Sequence, residues 1–359
     1  VTDSIGPESL LGGVATALIV ATLYAKKYDY RLRIITRNAV ANPKDYQDIM
    51  TMNDIVPVND VEFYSDFERK KDGQFDTKLE VHEKDVFFAT SWWSATAIRK
   101  TFPRVRFFYI LQEVETFFYP HGDSHLLCNE ILADANIRFI VNSQYLWEYF
   151  SKNNPKVTAN GTWFEPAFSK KLYYPKEFIR KEKYRLFFYG RPNNPRNLYY
   201  FGLQMIHQAI ESGILDPSQW EMVMAGGEGP SIEFTKGIQI KNLGMLTWDQ
   251  YGELLRNTDL ALSLMYTPHP SYPPFDAAVS GSVVLSNQCL NKTDFPYCEN
   301  VILSDVTEEK FLASFREAVS LAKDHKKREK NWQEASISTN WKQTLEAAVK
   351  WMEVYESDK

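Results

Sequence analysis

The sequence predicts an α/β protein built from two domains, each a largely parallel sheet covered by helices, and three observations carry that expectation. The 359 residues exceed one ordinary domain of roughly 100 to 200 residues. Short apolar β-type runs alternate with helical spacings, the pattern of a parallel sheet wound with helices. The alternation breaks at 154–182 into a stretch punctuated by Pro and Gly and then restarts.

In chain order, RLRIITR (31–37), DVFFATS (85–91), RFFYILQ (106–112) and IRFIVNS (137–143) read as strands of the first domain. Residues 13–28, 94–102 and 143–153 carry apolar spacing suited to helices packed on that sheet. Only VTDSI stands ahead of the loop before Gly13, so a strand is expected to end at Val1, with the natural chain continuing upstream. The stretch 154–182 reads as the interdomain linker. In the second half, 184–190, 220–227, 238–244, 259–265, 282–287 and 300–305 read as strands, and 197–213, 247–258 and 275–281 as helices. The tail segments EEKFLASFREAVSLAKD and WKQTLEAAVKWMEVYE place apolar residues three and four apart, as helices do. Two Rossmann-like domains result, 1–165 and 166–340, with the helix 341–357 expected to pack back on the first.

Composition bounds the function. With 44% hydrophobic and 24% charged residues the chain has a globular composition. No apolar run approaches the roughly 18 residues of a membrane-spanning helix, so at most a peripheral membrane contact is expected. The net charge of -5 offers no bulk attraction to nucleic acid, so an anionic ligand must be met by local groups. Three cysteines without CxxC spacing speak against a disulfide framework and a zinc site, and fit a reducing cytoplasm. No HExxH or similar spacing points to a metal. The HGDSH run (121–125) reads as a loop with Asp123 and Ser124 as caps. Trp92 and Trp93, at the end of the 85–91 strand, form a candidate platform for a sugar ring, one of them being expected in the core.

Three segments of the second half carry chemistry. In YGRPNNPRN (189–197), Arg191 and Arg196 follow a predicted parallel strand. Ligands bind at such strand ends, and two guanidinium groups there can hold a diphosphate. MAGGEGP (224–230) is a Gly-rich turn after an apolar strand, lacking the GxGxxG spacing of a dinucleotide site. TPHPSYPPFDAAVSGSVVLSN (267–287) brings a Pro-rich loop to a helix expected to begin near Phe275. There the amides of Ser271 and Tyr272 suit a phosphate. Asp276 suits a ribose hydroxyl or, more plainly, a helix cap.

In this order and spacing the segments resemble the second domain of the large retaining GT-B glycosyltransferase family, whose fold is two facing Rossmann-like domains with a C-terminal crossover helix. Gly190-Arg191 stands for the family's GR and Arg196 for its Lys five positions on. Gly226, Gly227 and Pro230 fall in the Gly-rich turn, and LGML (Gly244, Met245, Leu246) lies where family backbone contacts the base. Asp276 stands at the second of two glutamates, and Pro268 at the first, which usually holds the donor sugar; His269 and Tyr272 are the nearest polar groups able to compensate. In the first half, LLGGV (10–14) resembles the family's Gly-Gly loop, placing Gly12 and Gly13 at sugar and diphosphate. The family histidine that contacts the sixth hydroxyl would fall near Gln112 or Glu113. SISTNWKQTLEAAVKWM resembles the terminal crossover element, so the resemblance covers nearly the whole chain.

The match is most similar to rhamnosyltransferases that build polyrhamnose glycans of bacterial surface layers from dTDP-β-L-rhamnose. It implies an acceptor-binding first domain and a nucleotide-sugar-binding second domain, with a glycan acceptor carried on a lipid. It implies transfer of L-rhamnose with retention, without metal or resident cofactor, at the cytoplasmic face of the plasma membrane. Arg191 and Arg196 then stabilise the leaving diphosphate, and same-face attack proceeds without a covalent enzyme intermediate. Two rivals share the features less well: a nucleotide-sugar epimerase of the same fold, and a non-catalytic glycan-binding protein.

Overall fold

The computed structural model describes residues 1–6, 12–65, 79–235 and 237–356. The chain divides into two compact units, 1–167 with 340–359, and 168–339.

The first unit contains strands β1 (Leu32–Thr36), β2 (Val61–Ser65), β3 (Phe88–Ala89), β4 (Phe107–Leu111), β5 (Ile137–Asn142) and β6 (Gly161–Phe164). Its helices are α1 (Gly13–Lys27), α2 (Pro43–Met52), α3 (Trp92–Thr101), α4 (Asp123–Leu132), α5 (Gln144–Asn153) and α6 (Pro155–Ala159). β1 pairs in parallel with β2, and β3-β4-β5-β6 form a second parallel set. Thr2 bridges the two sets: its amide donates to Ile35 (2.9 Å) and its carbonyl accepts from Arg37 (3.1 Å), while the Val1 nitrogen donates to Phe88 O (2.7 Å). Residues 1 and 2 thus occupy a lane between β1 and β3.

All five residues of β4 are buried, as expected of a parallel strand covered on both faces. The C-terminal helix of the chain packs on α1 and β6, and the Trp341 indole N–H donates to Asn53 Oδ1 at 2.9 Å.

The second unit contains β7 (Tyr184–Tyr189), β8 (Trp220–Ala225), β9 (Ile232–Thr235), β10 (Ile238–Asn242), β11 (Leu260–Leu262), β12 (Val283–Asn287) and β13 (Val301–Ser304). Its helices are α7 (Tyr199–Glu211), α8 (Trp248–Arg256), α9 (Pro273–Val279), α10 (Glu308–Lys323) and α11 (His325–Gln333), and α12 (Trp341–Glu356) is the helix that returns to the first unit. Strand order is β13-β12-β11-β7-β8-β10-β9, parallel except for β9 against β10.

Alternate strand residues feed two cores. Leu186, Phe188, Met222, Met224, Leu260 and Leu262 pack with α7 and α10 on one face. Phe187, Val223, Ala225, Ala261 and Val284 pack with α8 and α9 on the other. This two-sided burial makes the strands read as continuous apolar runs.

Several sequence expectations are corrected. Residues 155–164, read as linker, form α6 and β6 in the first unit's sheet. The reason is Gly161: a Cβ there would meet Val157 O at 2.6 Å and Phe139 O at 2.8 Å, so the glycine serves close backbone approach. HGDSH is a loop only at His121 and Gly122: Asp123, Ser124 and His125 open α4, whose N-cap is Gly122 without a side-chain cap. Helix α3 begins at Trp92 through a capping box between Ser91 and Ser94. Helix α9 begins at Pro273, ahead of Phe275.

Candidate functional site

The site of the second unit lies at the C-terminal ends of neighbouring strands β7, β11 and β12. The chain leaves β7 through Tyr189 and Gly190, whose amide donates to Ala225 O at 2.9 Å. Arg191 follows, exposed, with its guanidinium beside the Tyr189 hydroxyl. Burial raises the pKa of Tyr189, and Arg191 pulls it partly back.

Gly226 sits directly behind this pair at φ 110°, and a Cβ there would meet Tyr189 at 3.0 Å and Arg191 Cγ at 3.3 Å. At Gly227 a Cβ would meet Pro192 at 2.9 Å. The Gly-rich turn therefore backs the arginine loop.

Arg196 is the middle residue of a short 3-10 turn (Pro195–Asn197) that is tied to the segment following β11. Its carbonyl accepts from Tyr266 N at 2.7 Å, and Asn197 Nδ2 donates to Leu264 O at 2.9 Å. Asn287, fully buried at the end of β12, clamps Met265 from both sides: Oδ1 accepts its amide at 2.7 Å and Nδ2 donates to its carbonyl at 3.1 Å. Lys292, only 1% exposed, donates to Met265 O at 2.7 Å and to His269 O at 3.4 Å. A buried ammonium is costly unless acceptors meet it, and here backbone carbonyls do. Sequence reasoning missed Lys292 and Asn287, because a lysine in NKTDF reads as surface.

His269 is 6% exposed and its Nδ1 accepts the Ser271 amide at 3.0 Å, with Ser271 held at φ 67°. Burial first, then the charges of Lys292 and Arg196, pull its pKa down to about 3. The ring is therefore neutral near pH 7, with its proton on Nε2. The expectation that the Ser271 amide meets a phosphate is corrected, since that N–H is spent on His269. Tyr272 forms the N-cap of α9, and its ring meets that of Phe168 edge-on.

Asp276 supplies no cap. Buried in α9, its carboxyl faces the hydroxyls of Tyr251 and Tyr173, the Tyr251 contact being loose. Burial drives its pKa well above the usual carboxylate range, and the two hydroxyls offset part of that. Gly244 adopts φ 69° with Glu228 packed over it, and the Met245 amide donates to Glu228 Oε1 at 3.2 Å. Met245 is 42% exposed, whereas Leu246 packs against the core. Glu228 had passed unnoticed inside the Gly-rich turn.

In the first unit the structure joins the Gly-Gly loop to the end of β4. Gly12, at φ 89°, is the N-cap of α1, and Gln112 Nε2 donates to Gly13 O at 2.7 Å. Residues 10 and 11 of that loop lie outside the described residues. Glu113 is 8% exposed and its carboxylate accepts the Val114 amide at 2.9 Å. Glu115, not singled out from sequence, accepts the Trp92 amide at 2.8 Å, and burial raises its pKa to about 7.

Trp92 is 1% exposed, which corrects its candidacy as a sugar platform: it belongs to the core, and Trp93 at 41% is the exposed ring. Both indoles donate to the Tyr119 hydroxyl at 3.0 Å. Among the described residues no group of three or more His, Cys, Asp or Glu is placed to hold a metal ion, and no helix is long and apolar enough to cross a membrane.

This fold is that of GT-B glycosyltransferases. The chain superposes on sucrose-phosphate synthase from Thermosynechococcus elongatus with a TM-score of 0.63, 11% identity, and coverage of 91% of this chain and 100% of that one. WaaG, a glycosyltransferase of lipopolysaccharide biosynthesis, gives a TM-score of 0.61 at 13% identity over 95% and 96% of the two chains. A glycosyltransferase from Rickettsia africae gives 0.59 at 11% identity over 99% and 97%.

The chain belongs to the WsaF family, matching "WsaF, N-terminal domain" over residues 1–143 and "WsaF, C-terminal domain" over 184–316. It is also similar to the O-antigen biosynthesis protein RfbC of Myxococcus xanthus, with 31% identity over 269 residues. That alignment covers 74% of this chain but only 20% of the relative's length.

Proposed function

We propose that this glycosyltransferase moves L-rhamnose from dTDP-β-L-rhamnose to a growing glycan, with retention of configuration and without a metal ion. The observation that carries the donor half of this reading is the arrangement of Arg191 and Arg196 at the strand ends. Arg191 leaves the end of β7 beside Tyr189, and the Arg196 carbonyl is tied to Tyr266, next to Met265, which Asn287 and Lys292 pin. Positive groups at these strand ends stabilise charge that grows on a leaving diphosphate.

Gly244, Met245 and Leu246 would adjoin the base, and Asp276, held near the two tyrosine hydroxyls, the ribose. Retention is assigned to same-face attack on the loosening glycosidic bond without a covalent enzyme intermediate. The acceptor is a glycan carried on a lipid, with Trp93 as its aromatic contact, and the enzyme works in the cytoplasm at the inner face of the plasma membrane. The family and the relative in O-antigen biosynthesis support a role in surface-glycan assembly.

Thermal stabilisation by thymidine, uridine and guanosine diphosphates tests the donor. A ligand at about 100 times its Kd stabilises the native state by about 2.7 kcal/mol, and thymidine diphosphate is expected to shift Tm most. Preference for uridine or guanosine diphosphate would remove rhamnose, and no shift with any of them would remove the nucleotide-sugar site.

A further inference from the structure

We infer that His269 is a diphosphate-binding residue, its Nε2–H donating to a non-bridging phosphate oxygen of the nucleotide sugar. The inference rests on the donor site proposed above. Four observations define the group. The ring is 6% exposed, yet Nε2 has no hydrogen-bond partner. Most buried donors in folded proteins are paired, so an orphaned one beside a proposed ligand site calls for a partner there. Nδ1 accepts the Ser271 amide, which leaves Nε2 as a donor only. The backbone that makes this contact is held in a left-handed conformation at Ser271 (φ 67°), an uncommon state for a non-glycine residue that costs energy.

The fourth observation selects the ligand. Lys292 reaches the His269 carbonyl at 3.4 Å, and the charge of Arg196 acts on the ring. A donor-only group in a positive field suits an anionic acceptor better than a sugar hydroxyl, which both donates and accepts. Burial first, and the same field after it, keep the imidazole neutral, with its pKa pulled down to about 3. His269 therefore adds a directed donor without adding a third cation beside Arg196 and Lys292.

The test uses two substitutions that divide the roles of the two ring nitrogens. In His269→Asn the amide oxygen can still accept from Ser271 N–H, while the distal donor is lost. In His269→Gln the side-chain amide reaches the Nε2 position. Affinity for thymidine diphosphate is measured by calorimetry, with thymidine as the probe lacking phosphate.

The expected result is tenfold or greater weakening of thymidine diphosphate binding in His269→Asn, partial recovery in His269→Gln, and equal thymidine binding in all three proteins. Equal thymidine diphosphate affinity in wild type and His269→Asn would overturn the role of His269 alone. Failure of the wild type to bind thymidine diphosphate would overturn the donor site as well.

Should His269→Asn fail to fold, 15N-labelled histidine in the wild type gives the same answer. The Nε2 resonance of His269 shifts on adding thymidine diphosphate and not thymidine, and an unmoved resonance refutes the contact.

Discussion

Replacing Gly226 with Ala tests whether the Gly-rich turn sets the position of Arg191. Two costs add at this site. At φ 110° the backbone lies where a side chain is strained, by about 1 to 3 kcal/mol. The new Cβ also meets Tyr189 at 3.0 Å and Arg191 Cγ at 3.3 Å, and overpacking of that kind costs about 1 to 3 kcal/mol.

Gly213→Ala is the control, since at φ 70° nothing lies within 4 Å of its Cβ, so strain alone remains. Urea unfolding is expected to show Gly226→Ala less stable than Gly213→Ala by at least the contact cost, since φ 110° is also further from the left-handed well than φ 70°. Binding separates the two further. The Tyr189 ring is packed and the Arg191 stem is exposed, so the arginine yields. Loss of a charge-assisted hydrogen bond of about 1.5 to 3 kcal/mol weakens diphosphate binding about 10- to 150-fold. Calorimetry with thymidine diphosphate should show that loss in Gly226→Ala and none in Gly213→Ala. Equal affinity in the two variants would refute the claim that the turn places Arg191.

Glu115→Gln bears on pH. The native pKa, raised to about 7, lies above the unfolded value, so its protonated form favours folding. That contribution is complete below the unfolded pKa near about 4.3 and is lost as pH rises through about 7. The variant should therefore lose stability less steeply than wild type between pH 5 and pH 8, about 5 and about 8 bracketing that window, and parallel urea-midpoint curves would contradict this. His269 acts oppositely: its depressed pKa costs stability as pH falls from about 6.5 towards about 3, and acid unfolding of His269→Asn should be shallower.

Trp92→Ala should cost about 3 to 5 kcal/mol as a core truncation. Trp93→Ala should leave Tm nearly unchanged while raising KM for the acceptor, and an unchanged KM would remove Trp93 from the acceptor site. Replacing both Tyr173 and Tyr251 with Phe leaves the Asp276 carboxyl without its hydroxyl partners, and nucleotide affinity is expected to fall; equal affinity would separate Asp276 from the ribose.

The parts of the fold legible in sequence are those where burial on two faces writes a continuous apolar run, as in β4, β7 and β12. Helix α2 was missed although its start is marked: Asn42 caps the Lys44 amide and Pro43 opens the first turn. In α4, the exposed Leu126 and Leu127 blur the apolar stripe that would announce a helix. Strand β6 hid behind Gly161, whose role in backbone approach resembles loop punctuation until its neighbours are known.

At the site, Gly190, Arg191 and Arg196 were readable because they follow a strand end within a few residues. The partners that organise it were not, since Asn287 and Lys292 act on Met265 across 22 and 27 residues. Tyr173 meets Asp276 only once the sheet has formed.

The most direct test of the donor site is the rate of rhamnose transfer from dTDP-rhamnose by Arg191→Ala under saturating substrates. Removing one preorganised donor to a developing anion costs about 10²- to 10³-fold in turnover, and an exposed arginine can be removed with the fold intact. A loss of that size with unchanged Tm is the predicted result. Turnover close to wild type would contradict the assignment of Arg191 to the leaving diphosphate.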